Sequence, residues 1–160
     1  MITAASIHNV DGSHNCDINT DVIPLHDFDV TPVLRTNTGR QKSQQPGRWP
    51  TWSTRDGYEI HMEGDIFGTS SADYFANRQT LLLALFGTPG ATPVLTDRKF
   101  GTLHVTFDGS TEEWLADFTI TAWSAPLNGD SPSRSAFALT LETWNPWFIG
   151  ASSGNKYLYS

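Results

Sequence analysis

The sequence predicts a mainly β fold, an antiparallel β-sandwich or small barrel with one α-helix packed against it. Three observations carry that prediction. Between Tyr58 and Phe67, Tyr58, Ile60, Met62 and Ile66 fall on one face while Glu59, His61, Glu63 and Asp65 fall on the other, the period of two of a half-buried antiparallel strand. Directly after Gly68 the pattern changes to that of one amphipathic helix, at about Ser71 to Phe86. Every other clear element alternates again, and a single helix needs a single apolar surface to cover.

Taken in order, Met1 to Thr31 holds five Asp and no Lys or Arg. Its one strand candidate is Val22 to Val30, which Pro24 places at an edge or gives a bent start. Arg35 to Gly57 reads as a long basic loop or arm. It contains Gly39, Pro46, Gly47 and Pro50 among polar residues and exceeds the usual length of a connection in a compact domain. Trp49 and Trp52 within it are residue types that favour a partner surface over simple disorder.

The helix has readable ends. Ser70 followed by Asp73 resembles a capping box, and Gly87 stands where a left-handed residue often closes a helix. Phe75, Leu82 and Phe86 form the expected buried seam, Leu81 and Leu85 widen it, and Asn77 and Thr80 lie away from it. Thr88 to Pro93 is a turn-rich connection. Thr102 to Phe107 then points Leu103, Val105 and Phe107 inward, Asp108 and Gly109 mark a turn, and Trp114 to Trp123 sets Trp114, Ala116, Phe118, Ile120 and Ala122 against Leu115, Asp117, Thr119 and Thr121. On that phase Trp114 and Trp123 face opposite sides. After a Pro, Gly and Ser-rich loop from Ala125 to Ser135, Phe137, Leu139 and Leu141 give the last long strand, which Pro146 terminates; Lys156 to Tyr159 reads as a short tail.

Length and composition describe one domain. At 160 residues the chain can bury roughly 70% of its unfolded surface. Cys16 is the only cysteine, so no intramolecular disulfide and no cysteine-based metal spacing exists. The N-terminus lacks a basic region and a long apolar core, and the longest apolar run, Leu81 to Phe86, is too short to span a bilayer, so neither a signal peptide nor membrane insertion is expected. The net charge of −7 is unevenly spread: Arg35, Arg40, Lys42, Arg48 and Arg55 against Asp56 alone give the basic loop +4 and leave −11 on the rest. An acidic body of this kind is unsuited to general nucleic-acid binding.

No catalytic constellation emerges. His61, Glu63 and Asp65 recur about 7 Å apart on one strand face, where ligands do not converge without another element. His8, His14 and Cys16 lack a fourth partner in register. Ser6, Ser13 and Ser124 have no nucleophile-elbow context, and no Gly-rich phosphate loop precedes the helix. Glu112 and Glu113, adjacent on an extended chain, cannot flank one glycosidic bond and read as a solvated turn. Neither catalytic activity, a cofactor nor a metal is expected.

The order of motifs resembles the N-terminal domain of the distal tail proteins of long-tailed bacteriophages, relatives of tail-tube proteins. The residues that carry the likeness are Gly57-Tyr58-Glu59-Ile60 with Gly64-Asp65-Ile66-Phe67-Gly68, Asn77 to Gly87, Asp97-Arg98-Lys99-Phe100-Gly101, and Leu141 to Phe148. The family's last motif commonly reads Asp-Pro-aromatic, and here Asn145 takes the acidic place. The likeness spans about Arg35 to Phe148. Many family members continue into a galectin-like domain; this chain ends soon after Trp147, so glycan binding through that domain is not implied.

What the resemblance implies is a structural virion protein, a homo-hexameric ring at the tail tip that joins the tail tube to hub or fibre proteins and lets DNA pass without binding it. The arm supplies the expected subunit contacts, Arg40, Lys42, Arg48, Trp49, Trp52 and Arg55. Strand alternation nominates Glu59, Glu63, Asp65 and Asp117 as the acidic channel lining. The alternatives are a tail-tube or tail-terminator subunit, which stacks or caps with the same fold, and a monomeric β-sandwich carbohydrate-binding module using some of the six tryptophans.

Overall fold

The computed structural model describes residues 1–37, 52–88, 101–127, 133–145 and 147–157, with the backbone alone at 34–37 and 52–56. Nine strands and one helix follow in the order β1 (Ile2–Asn9), β2 (Asn15–Ile18), β3 (Leu25–Asn37), β4 (Trp52–Phe67), α1 (Ser71–Phe86), β5 (Gly101–Phe107), β6 (Trp114–Ser124), β7 (Arg134–Thr143), β8 (Phe148–Gly150) and β9 (Lys156–Tyr157). All pairings are antiparallel, in the order β2-β1-β5-β6-β7-β4-β3, with β8 also on β6 and β9 on β8. The mainly β fold with one packed helix is thus the one the periodicity predicts.

β6 is the strand that joins the two halves. Its first residues, Trp114 to Phe118, pair with β5, and Thr119 to Ser124 pair with β7. The two ends of the sheet nevertheless come together, because α1 packs on β1 and β2 at one end and on β4 near the other. The inner faces therefore share one core, in which Ile7, Ile18, Leu103 and Phe118 join Tyr58, Ile60, Met62, Leu139 and Leu141.

The helix boundaries agree with the sequence, and the caps explain why. Ser70 Oγ accepts from the Asp73 N–H at 3.2 Å, Asp73 in turn accepts from the Thr69 N–H at 2.8 Å, and the Gly87 N–H reaches the Leu83 carbonyl at a φ of 72°. The seam differs from the expected one. Tyr74, Leu81, Ala84 and Leu85 are buried, while Phe75 and Phe86 are 46% and 50% exposed. Two polar anchors rotate the helix to this face: the Tyr74 hydroxyl donates to Ser135 Oγ at 2.6 Å inside the core, and Asn77 donates to the Phe67 carbonyl at 2.8 Å.

Three further expectations are corrected. The N-terminal segment carries β1 and β2 as well as β3, and β3 starts at Leu25, beyond Pro24. The basic loop is shorter than Arg35 to Gly57, because β3 and β4 continue pairing as far as Asn37 and Trp52. Trp123 does not lie opposite Trp114: a bulge between Ile120 and Ala122 shifts the phase of β6, so that both indoles pack against the core. Trp123 stands against Phe137 and Phe86, and Trp114 against Tyr157.

Candidate functional site

Register determines which acidic side chains meet. On the face of β3, β4, β7 and β6 turned away from the core, Thr31, Glu59, Glu142 and Thr119 form one cross-strand row, and Asp27, Glu63, Ala138 and Ser124 form another. Asp29, His61 and Thr140 lie between them. Glu59, Glu63, Asp27 and Asp29 are exposed and Glu142 is half-buried. His61 stands 3.1 Å from Glu63 and 3.2 Å from the Thr140 hydroxyl. Along β6 the same face continues to Asp117, exposed and accepting from the Thr102 hydroxyl at 2.9 Å.

Asp65 departs from this group. Its side chain is only 5% exposed, accepting from Arg134 at 2.8 Å and lying 2.6 Å from His26 Nε2. The bond from Arg134 is the main reason its carboxyl is held below the usual range, with the His26 contact adding to it and burial opposing it. Asp65 is therefore a neutralised link between β3, β4 and β7, and no wetted wall group. Arg134 lies on this face as well, and Asp65 occupies it.

At its far end the sheet narrows to two strands. β4 pairs with β7 only from Tyr58 onward, whereas the β3–β4 ladder runs on to the Asn37–Trp52 rung, a ribbon extending roughly 15 Å beyond the sheet. The change occurs at Gly57, where a Cβ would collide with the Thr143 carbonyl, and at a register shift between Val33 and Leu34. Thr143 closes the end of β7 with its hydroxyl, which accepts from the Tyr58 N–H at 2.9 Å. Trp52 and Arg55 are on the ribbon's backbone. Arg40, Lys42, Arg48 and Trp49 lie outside the described residues.

The remaining candidates do not converge. Cys16 is buried, where desolvation pushes its thiol up to about 12; His14 bonds Thr88 and His8 packs on His104. Among the described residues no group of three His, Cys, Asp or Glu could hold a metal. Glu112 is more than a solvated turn residue: it accepts from the Ser153 N–H at 2.7 Å and from the Ser152 hydroxyl at 3.3 Å, securing the turn between β8 and β9. Sequence reasoning also missed Asp27, Asp29 and Glu142 as members of the acidic face. Alternation on β3 and β7 was the available signal, but it acquires meaning only with the register.

The fold, a curled antiparallel sheet with one packed helix, is similar to that of solved phage baseplate chains. In particular, about nine-tenths of this chain superimposes on chains of the phage P2 baseplate. In its activated conformation with Ca the match has a TM-score of 0.56 at 15% identity, covering 89% of this chain and 44% of that one. In the conformation with Sr it has a TM-score of 0.54 at 14% identity, covering 88% and 43%. The SPP1 Dit protein, described as a hub adsorption apparatus, matches with a TM-score of 0.49 at 14% identity, covering 91% and 52%. This chain spans less than half the length of the P2 baseplate chains. No protein-family model and no curated protein matches it. Among the described residues no helix is long and apolar enough to cross a membrane.

Proposed function

We propose that this chain is a structural subunit of a phage tail tip, closing into a six-membered ring that joins the tail tube to the hub or fibre proteins. The observation that carries this reading is the pairing of a baseplate-type fold with a sheet face that presents Asp27, Asp29, Glu59, Glu63, Glu142 and Asp117 while Arg134 on that face is taken up by Asp65. A wall of this sign lets DNA slide past without releasing counterions into a tight complex. In the ring Glu59, Glu63 and Asp117 face the channel. The basic residues 38–51 and the ribbon beneath them form the arm that binds the next subunit or the next ring, so that opposite charges on one chain meet between copies. The chain performs no catalytic step, needs no cofactor and resides in the virion.

Light scattering and negative-stain images of the purified protein test the reading. A closed single-layer ring supports it. Stacked tubes would assign the chain to the tail tube, and a monomer at micromolar concentration and moderate salt that binds glycan arrays would replace it with a carbohydrate-binding role.

A further inference from the structure

Away from the acidic rows, two titratable rings are in face-to-face contact. His8 on β1 and His104 on β5 stack with centroids 3.8 Å apart and planes within 16° of parallel. The register makes them diagonal neighbours, since His8 lies opposite Thr102 and Ser6 lies opposite His104. Each ring has a polar partner among the described residues. His8 Nε2 is 3.0 Å from the Ser6 hydroxyl, and His104 Nδ1 is 3.2 Å from Glu113 Oε2.

The position of the stack matters more than its chemistry alone. Among the described residues β1 pairs only with β2 and β5, and β2 only with β1, so the β1–β5 ladder is the one described strand pairing that holds the N-terminal hairpin to the rest of the sheet. α1 contacts this hairpin on the side where Ile7, Cys16 and Ile18 are buried. We propose that the His8–His104 stack is a proton-operated fastening of this hairpin: closed while at most one ring is charged, and loosened when both are.

The charged groups around the pair are Asp17 on β2, Glu113 ahead of β6, and Asp117 on β6, which is held by Thr102 opposite His8. Glu113 can compensate one imidazolium directly. A second would lie face to face with the first in a partly buried seam, where charge repulsion is poorly screened. Burial, then the neighbouring His104 charge, depress the His8 pKa, against weaker opposition from Glu113 and Asp17. The depressed group releases its proton on folding, so hairpin attachment is full above the ordinary histidine pKa and falls as pH drops through and below it.

Hydrogen exchange of the full chain at pH 7.5 and pH 5.0, corrected for intrinsic exchange, tests the proposal. The β1 and β5 amides should open several-fold more at the lower pH, with the β3–β4 amides unchanged. His8→Phe keeps a stacked ring but cannot titrate, and should remove the response while retaining protection at pH 7.5. Should that variant pack poorly, His104→Gln offers the same test with a donor still available to Glu113. Wild-type protection independent of pH, loosening spread over all strands, or an unchanged response in both variants would overturn the proposal.

Discussion

Arg134 Nη2 on β7 donates to Asp65 Oδ2 on β4 at 2.8 Å, while its guanidinium carbon sits 5.0 Å over the Phe67 ring. The same carboxylate oxygen meets His26 from β3, so one buried acid links three strands that are 39 and 69 residues apart in the chain. Asp65→Ala should lower stability by about 1–3 kcal/mol, the usual loss for a hydrogen-bonded charge whose partner stays behind. Because the folded pKa is depressed, this contribution is complete above the ordinary Asp value near 4 and is lost as pH falls through the lowered one. Acid titration of unfolding free energy should consequently be steeper for the wild type than for Asp65→Asn below pH about 4. Parallel curves would refute the link.

Gly57 marks the point where β4 parts from β7. A methyl group there meets the Thr143 carbonyl carbon and oxygen, both backbone atoms that cannot swing aside. Gly57→Ala should cost about 1–3 kcal/mol, the range for overpacking a close-packed site. Gly12→Ala is the useful contrast. Nothing lies within 4 Å of its would-be Cβ, although its φ of +71° still disfavours a side chain. Denaturant midpoints that rank Gly12→Ala as the worse change would contradict this account of β4.

Glu112 is expected to govern the C-terminal turn. Its carboxylate is held below the ordinary range by its bonds to Ser153, then Ser152, so the turn is secured above the usual Glu pKa and released as pH falls through the lowered one. In Glu112→Ala the amides of 150–155 should exchange at least several-fold faster, with the β4–β7 ladder unaffected. Mass spectrometry of exchange reads this directly, and equal rates would return Glu112 to the status of a solvated side chain.

The arm can be removed without removing the fold, if its role is assembly. Replacing 38–51 with a short Gly/Ser linker changes closure entropy by only about 0.6 kcal/mol per doubling of length, so the unfolding transition should survive. Ring formation should fail. Truncating Arg48, Trp49 and Trp52 together should likewise shift ring to monomer, since hot-spot Arg and Trp side chains cost about 2 kcal/mol or more each when removed. Light scattering decides: unchanged rings would leave the arm without its assigned task.

The acidic face makes an opposite-sign prediction. Glu59→Lys, Glu63→Lys and Asp117→Lys combined alter the charge by +6, and on the channel reading this turns a surface expected to pass DNA unbound into a binding one. Affinity for duplex DNA should appear and weaken steeply with salt. An electrophoretic mobility assay that finds the wild type already binding duplex DNA at moderate salt would remove the channel reading.

Local pattern was sufficient for part of this protein. The Tyr58 to Phe67 alternation, the caps at Ser70 and Gly87 and the inward faces of β5 and β7 are set by neighbours a few residues apart, and they stand in the structure as the sequence implies. The acidic positions of β4 and β6 were likewise readable from alternation, whereas those of β3 and β7 needed the register. Tertiary structure decided what distant partners impose. Tyr74 faces inward, ahead of Phe75, because its hydroxyl finds Ser135 across the core; Trp123 turns inward because a bulge resets β6; Asp65 leaves the acidic face because Arg134 and His26 reach it. The short β1 and β2 escaped notice for the same reason. Strands of eight and four residues in which Ile2, Ile7, Cys16 and Ile18 are the only apolar residues larger than alanine become strands through the pairing of β1 with β2 and β5 and by packing under α1, and these partners are not visible within either segment itself.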